Sequence, residues 1–414
     1  MRLPVVIILL CYIILIFTGL LIVSDLRKLS LYSAYGRPEK KRRRWWIVFT
    51  VFEILVAALL TVAISLPRRS PSAGIGPVMW MLYTVMTIEL SQLIYSVFSL
   101  LGLIPVIFGK RRWNTALWIG LPLGVMVFSM MWWGVLVGRF KIRTEEVTIT
   151  STKLPESFNG YRIAQISDLH VGTWGNDTVF LSRLVDKVNA LQPDLIVFTG
   201  DIVNRDSREL KPFISVLGRL SAPDGVLTVL GNHDYGDYVA WSSPKAKREN
   251  LEQLKNYEGM MGWKMLDNAS SVITNSKGDS IIVIGVGNWG EPPFSQYGNL
   301  KKAYPSEKLN DENYKILLSH NPEHWNQEVS QISNIDLTLA GHTHAMQMMF
   351  SLGNWRWSPS QYKYEQWAGL YNRENSRGEE TKVYVNIGAG EVGIPMRIGA
   401  DPEITLFELR RAEK

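Results

Sequence analysis

The chain has 414 residues, 46% of them hydrophobic and 20% charged, and its formal charge of +6 is unevenly spread. Residues 1–145 carry 17 Lys and Arg against 5 Asp and Glu, whereas the remainder carries 27 against 33 and is net −6. That balance argues against a nucleic-acid groove, which would need a basic face on the second part, and the single cysteine, Cys11, rules out an intrachain disulfide.

The first part reads as membrane. Residues 3–23, 46–66, 77–108 and 115–138 are apolar runs, each long enough for the roughly 20 helical residues that cross a ~30 Å hydrocarbon core. They predict a transmembrane helical domain over residues 1–145. The first run has no A-x-A-like cleavage site before "SDLRKLS", and further spans follow, so uncleaved insertion is expected. Glu53 and Glu89 lie inside these runs and should face protein or water instead of lipid; the sequence assigns them no role. Basic residues set the expected orientation. Arg27, Lys28, Arg37, Lys40, Lys41, Arg42, Arg43 and Arg44 after the first run, and Lys110, Arg111 and Arg112 after the third, should be cytoplasmic. Arg68 and Arg69, and Arg139, Lys141 and Arg143, then face outward, with an extracytoplasmic second domain over residues 146–414.

That second domain alternates strand and helix. "YRIAQISDLHVG" is β-rich, and "NDTVFLSRLVDKVNALQ" puts Phe180, Leu184, Val188 and Leu191 on one helical stripe. "PDLIVFTGDIV" follows as a strand, "SRELKPFISVLGRL" as a helical stretch and "APDGVLTVLGNHDY" as a strand. "SIIVIGVGN", "YKILLSH", "IDLTLAGHTH", "TKVYVNIGAG" and "EITLFELRR" add further strands. The expected class is α/β, a sheet with helices packed on it.

Polar clusters recur at one place in these units. "SDLH", "TGD", "GNHD", "SH" and "GHTH" each follow an apolar strand directly, where open α/β sheets collect ligands. They supply Asp168, His170, Asp201, Asn232, His233, His320, His342 and His344, a carboxylate, amide and imidazole set without thiolate. Such donors suit Mn, Fe or Zn ions in an incompletely filled catalytic sphere. Eight donors exceed one ion's need, and two divalent or trivalent ions bridged by a carboxylate fit better.

These five motifs in this order, with Asn204 three residues past Asp201, resemble those of the calcineurin-like metallophosphoesterases, and the closing "VNIGAGEVGIPMRIGADPEITLFELRR" is similar to the tail of their bacterial membrane-associated branch. The resemblance covers residues 160–412. It implies an αββα sandwich and a dinuclear metal-dependent phosphohydrolase, acting on a phosphomonoester, a phosphodiester or a lipid-linked (pyro)phosphate. It further implies that Asp168, His170 and His344 hold the first ion, that Asn232, His320 and His342 hold the second, and that Asp201 bridges them. His233 would be the general acid, with Asp234 orienting its ring. One departure is "HTHAMQ", where the branch often reads "HTHGGQ", so Ala345 and Met346 make the resemblance weakest as a guide to substrate.

Other features carry less. His324, outside every motif, is read as a surface or supporting residue, and "GVGNWG" and "GAGEVG" as turns beside the site. "NWRWSPSQYKYEQWAGLY" is either ordinary loop packing or an amphipathic wall of Trp355, Trp357, Tyr362, Tyr364 and Trp367 facing the bilayer or an acyl chain. A non-enzymatic membrane sensor or transporter with a degenerate esterase domain remains an alternative that the intact donor set disfavours. A nuclease of the same superfamily is disfavoured by the acidic second part. Partners expected are the lipid bilayer and a phosphate ester; oligomeric state stays open.

Overall fold

The computed structural model describes residues 5–32, 39–67, 69–70, 74–292, 294–353 and 355–413. Arg37 and Arg68 lie outside the described residues, and only the backbone of 40–44 is described. The chain forms two compact units, Met1–Val135 and Leu136–Lys414.

The first unit contains α1 (Val5–Tyr32), α2 (Glu39–Ser65), α3 (Gly76–Leu101), a single turn α4 (Ile104–Ile107) and α5 (Thr115–Leu136). Four segments are long and apolar enough to cross a membrane: Val6–Arg27, Trp46–Ser65, Gly76–Ile107 and Thr115–Phe140. Their large side chains point outward, with Leu20, Leu55 and Trp118 more than half exposed, as lipid-facing helices require. The polar groups turn inward. Gln92 Nε2 donates to Glu53 Oε1 at 2.7 Å, and Thr18 Oγ1 donates to Gln92 Oε1 at 3.2 Å. Asp25, a carboxylate that hydropathy alone did not single out, accepts from Ser99 Oγ at 2.6 Å and Tyr95 at 3.1 Å and pairs with Arg112. The unusually long third run is a 26-residue helix that ends in a turn at Gly102 before α4 begins.

The second unit holds fourteen strands among the described residues. Six form one sheet: β1 (Arg143–Ser151), β2 (Arg162–Ile166), β3 (Leu195–Phe198), β4 (Val226–Thr228), β5 (Lys264–Met265) and β14 (Glu403–Arg411), in the order β1-β14-β2-β3-β4-β5. The other six-stranded sheet is built from β6 (Ala269–Thr274), β7 (Ser280–Gly285), β8 (Lys315–Leu318), β9 (Leu337–Ala340), β12 (Gly369–Glu374) and β13 (Glu380–Val385), in the order β12-β13-β9-β8-β7-β6. β10 (Phe350–Leu352) and β11 (Trp355–Trp357) pair only with each other.

Alternation along the strands generates the layers. Leu195 and Val197 of β3 join Leu227, Ile316, Leu318, Leu337 and Leu339 in one core between the two sheets. The intervening Ile196 and Phe198 face the other way, onto Phe180, Leu184 and Val188 of α6 (Val179–Ala190). On the far side, Leu317 and Val383 pack against Leu300, Trp325 and Val329. Burial on both faces explains why these strands read as unbroken apolar runs. The result is helix, sheet, sheet, helix, the αββα sandwich.

One local expectation differs, and two elements had none. The helical stretch at 207–220 is a 3-10 turn, Ser207–Phe213, carrying Pro212, followed by the single turn α7 (Ile214–Leu217); proline's missing N–H prevents a continuous α-helix. α8 (Pro244–Met260) has no counterpart in the hydropathy pattern, because only Asn250, Leu254 and Glu258 are buried and the apolar stripe is one residue wide. Arg143–Ser151, half charged in its first residues, is the edge strand β1.

Candidate metal centre

The expected ligand residues of the five motifs sit two to four residues past the C-terminal ends of β2, β3, β4, β8 and β9. β2, β3 and β4 run parallel in one sheet, and β8 and β9 in the other, so all five loops emerge on one edge of the sandwich. The backbone there is contorted. Asp168, His170, Asp201, His342 and His344 have φ of 54°, 42°, 59°, 72° and 51°, left-handed conformations costing about 1–2 kcal/mol each in an L-residue. Cross-loop hydrogen bonds impose them: Asp168 N to Gly200 O at 2.9 Å, His170 N to Asp201 O at 3.2 Å and His342 N to Asp168 Oδ2 at 3.1 Å. Such strain gathers where function demands a fixed geometry. Two motif glycines allow the loops to close up: a Cβ on Gly231 would stand 2.2 Å from Asp201 Oδ1, and one on Gly341 2.3 Å from Asp168 Oδ2.

Two triads result. Asp168, His170 and His344 bring one ligand atom each within 4.8 Å of one another, and so do Asp201, His320 and His342. His344 Nε2 lies 3.0 Å from Asp168 Oδ1 and 3.1 Å from His170 Nε2. In the second triad His320 Nε2 lies 3.1 Å from Asp201 Oδ2, 3.2 Å from His342 Nδ1 and 3.2 Å from Asn232 Oδ1, which adds the amide oxygen as a fourth donor. Asp201 Oδ2 is also 3.6 Å from His170 Nε2, so this one carboxylate oxygen stands between the triads.

The surroundings fix which atoms face inward. His320 Nδ1 donates to the Thr199 carbonyl at 2.8 Å, leaving Nε2 free as a ligand. His342 Nε2 meets the Tyr364 hydroxyl at 3.1 Å, leaving Nδ1 inward. Asn232 Nδ2 donates to Tyr238 OH at 2.8 Å, aiming Oδ1 at the triad.

Charge favours cations here. Burial alone would raise the Asp168 and Asp201 carboxyls, but the surrounding imidazoles, His344 and His320 around Asp168 and His320 and His233 around Asp201, hold both below the carboxylate range. Burial also opposes a charge on His320, yet Asp201 and Asp168 push it up to about 10. Burial, with His320 nearby, pushes His342 down to about 3. Two buried carboxylates that hold a proton on one imidazole make a cage that a divalent ion would satisfy better. The donor set and its burial therefore fit the two-ion group.

His233 stands beside the triads, half-buried, its ring centroid 4.8 Å from that of His170. The expected partnership with Asp234 is corrected: His233 Nδ1 donates to the Asn204 carbonyl at 2.6 Å. The Asp234 carboxylate instead accepts backbone N–H groups of Asp201 and Gly231 at 2.8 Å, Ile202 at 3.0 Å and Val203 at 3.2 Å. Four backbone donors occupy it, so it shapes the Asp201 loop. His324 joins neither triad; it is buried, not on the surface, between Ser319 Oγ at 2.9 Å and Glu328 Oε2 at 3.1 Å. Arg397, wholly buried, lies 3.4 Å from His344 Nδ1 and donates to the carbonyls of Gly390, Ala400 and Ile387. Sequence reasoning missed Thr199, Tyr238 and Arg397 and gave Tyr364 a different setting. Only Asn204, through its fixed distance from Asp201, carried a signal.

Residues 161–346 match the model of the calcineurin-like phosphoesterase family. An uncharacterized metallophosphoesterase of Bacillus subtilis, YkuE, is 30% identical over 273 residues, which is 65% of this chain and 86% of that protein. A Danio rerio transmembrane protein with a metallophosphoesterase domain is 33% identical over 275 residues, covering 64% of this chain and 57% of that one. The UDP-2,3-diacylglucosamine pyrophosphatase LpxG of Chlamydia trachomatis is 30% identical over 308 residues, covering 63% and 88%. Among solved structures, a dimetal phosphatase from Danio rerio aligns with a TM-score of 0.31 and 14% identity over 56% of this chain and 88% of that one. With its five motifs gathered at one sandwich edge and a carboxylate of one triad standing beside the other, the chain belongs to the calcineurin-like metallophosphoesterases, metal-dependent phosphoric ester hydrolases.

Proposed function

We propose that this membrane protein hydrolyses a lipid-linked phosphate or pyrophosphate on the extracytoplasmic side. The observation that carries the chemistry is Asp201 Oδ2 standing within 3.1 Å of His320 and 3.6 Å of His170, the place of a bridging ligand. Asp168, His170 and His344 would hold the first ion and Asn232, His320 and His342 the second. When bound, the pair supplies Lewis acidity at the phosphoryl group and an activated water. The chain does the rest. Neutral imidazoles bind without cancelling that acidity, and the backbone bonds around Asp168 and Asp201 hold the donors ready. His233, its Nδ1–H committed to Asn204, keeps Nε2 for proton delivery to the leaving oxygen, a step worth about 10²–10⁴ in rate. The lipid-linked substrate is supported by the membrane spans and by the similarity to a diacylglucosamine pyrophosphatase.

The test uses the full chain in nanodiscs, loaded with Mn²⁺, Fe or Zn²⁺, against phosphomonoesters, phosphodiesters and lipid-linked pyrophosphates. Highest kcat/KM on the lipid-linked class is expected; preference for a soluble nucleotide would sink the substrate reading. For orientation, the basic loops after the first and third spans support an outward catalytic domain, although Arg112 is already paired with Asp25. Alkaline phosphatase fused at the C-terminus should be active. A bright cytoplasm-only fluorophore there would overturn the placement.

A further inference from the structure

The ribbon β10–β11 belongs to neither six-stranded sheet. Its register is Phe350 opposite Trp357, Ser351 opposite Arg356 and Leu352 opposite Trp355. Directly opposed residues share a face and successive ones alternate. Phe350, Leu352, Trp355 and Trp357 therefore make one wholly apolar face, and Ser351 and Arg356 the other. Both polar residues are exposed, and the Arg356 Nη1 tip lies 3.5 Å from where a Cβ on Gly369 would stand. Three of the four apolar residues are exposed, Leu352 by 79%, Trp355 by 57% and Phe350 by 38%, while Trp357 is half-buried beside Tyr362. A two-stranded ribbon is marginal in water by itself, and a continuous apolar patch on a surface marks something that binds there.

The ribbon is also tied to the metal centre. It begins six residues past His344, after Ala345, Met346 and Gln347 run through left-handed backbone at φ 47°, 45° and 59°. At its other end Ser358 Oγ donates to the Ala345 carbonyl at 2.6 Å. Met346, 41% exposed, thus presents a thioether side chain at a conformation that glycine would occupy without strain. Any body that covers the ribbon lies within a few residues of the triads.

We propose that the apolar face of β10–β11 docks into a phospholipid leaflet and brings the metal centre to phosphates at headgroup depth. The chain's own membrane-length helices keep a bilayer within reach. Trp355, Trp357 and Tyr362 with Arg356 and the exposed Lys363 have the composition that settles at the headgroup boundary. An amphipathic element of this kind buries its apolar face about 5–10 Å into the interface. The substrate class follows: a phosphate whose hydrocarbon stays in the leaflet while its headgroup reaches His344 and His342. That consequence rests on the lipid-linked reading above, whereas the docking does not.

The experiment uses the full chain with Cys11→Ser, carrying a single environment-sensitive label at Leu352→Cys or, as control, at Val272→Cys, an exposed residue on β6. It is reconstituted in phosphatidylcholine nanodiscs with a minor fraction of phosphatidylglycerol and of lipids brominated along the acyl chain. The label at 352 should be blue-shifted and quenched by bromine, and the label at 272 should not. Equal quenching at the two sites, or protection at 352 by cross-linking to a second copy without quenching, overturns the proposal. In a second arm, Leu352→Ser with Trp355→Ser should lower the ratio of lipid-phosphate to soluble-ester turnover at least about tenfold, as expected when two apolar side chains no longer enter the leaflet. Quenching at 352 with no turnover of any lipid phosphate upholds docking and defeats the substrate reading. Lipid turnover without quenching does the reverse.

Discussion

The two ligand triads are nearly equal in donor chemistry and unequal in what stands behind them. In the second, the outer nitrogen of His320 is held by the Thr199 carbonyl, that of His342 by the Tyr364 hydroxyl, and the Asn232 amide by Tyr238. In the first, His170 Nδ1 is buried without a hydrogen-bond partner among the described residues. His344 Nδ1 faces the guanidinium of Arg397, a group that only donates. A ligating imidazole is oriented and made more basic by an acceptor on its other nitrogen. The second triad has those acceptors and the first lacks them, so the second should hold its ion more tightly and the first should exchange. Positions of the ligands say where ions go; the residues behind them say in what order.

The comparison breaks most completely at Asp201, a member of the second triad whose Oδ2 also lies 3.6 Å from His170 Nε2 of the first. Asp201→Ala should cost both ions by elemental analysis and lower kcat by on the order of 10³ or more. His324→Ala should retain metal and activity and lose about 1–3 kcal/mol of stability, because it leaves the buried Ser319 hydroxyl without its partner. Equal metal loss in the two variants would remove the bridging role.

His233→Asn spares both triads and should keep metal content near normal while kcat falls by about 10²–10⁴. Loss of an ion would make His233 a ligand instead.

A sharper cut separates the triads. Tyr364→Phe should weaken the more tightly held ion about 10- to 100-fold and leave the other unchanged, narrowing the gap between two successive Mn²⁺ affinities. If the weaker ion is the one affected, the second triad is not the tighter of the two.

Protons should compete mainly at His320, pushed up to about 10. In a neutral window Asp168 and Asp201 are already ionised and His170 and His342 already neutral, so one proton leaves as the second ion binds. Mn²⁺ affinity should rise about tenfold per pH unit from pH 6 towards about 10. The metal-free protein should move oppositely: a raised folded value contributes stability that is complete below the ordinary 6.5 and lost as pH rises through about 10. A flat affinity profile would count against the proton on His320.

The smallest effect tests the loop that leaves the first triad. Met346→Gly should raise stability by about 1 kcal/mol by relieving a left-handed residue. Ala345→Gly should gain less, because the Ala345 methyl is fully buried. Thermal unfolding of the two variants would show the ordering; a destabilised Met346→Gly would mean that its side chain is packed.

The legible parts of this protein are those where a local pattern suffices. Apolar runs of membrane length gave the four spans, alternating strands and helices gave a sheet with helices packed on it, the motif resemblance implied the αββα sandwich, and short polar motifs after the strands supplied every donor of the two triads. Elements with thin or mixed patterns were not legible, α8 with one buried leucine and β1 with its charged start among them.

What the sequence by itself determined was therefore the ligand chemistry, since residue type and order relative to strand ends are local properties. Only the tertiary structure decided that Asn204 and not Asp234 holds His233, that Tyr364 stands behind His342 while Tyr362 faces outward, and that Arg397 lies against His344. These contacts join residues 22 to 53 positions apart. Hydrogen bonds across loops are fixed by how two sheets pack, and no periodicity along the chain encodes that packing.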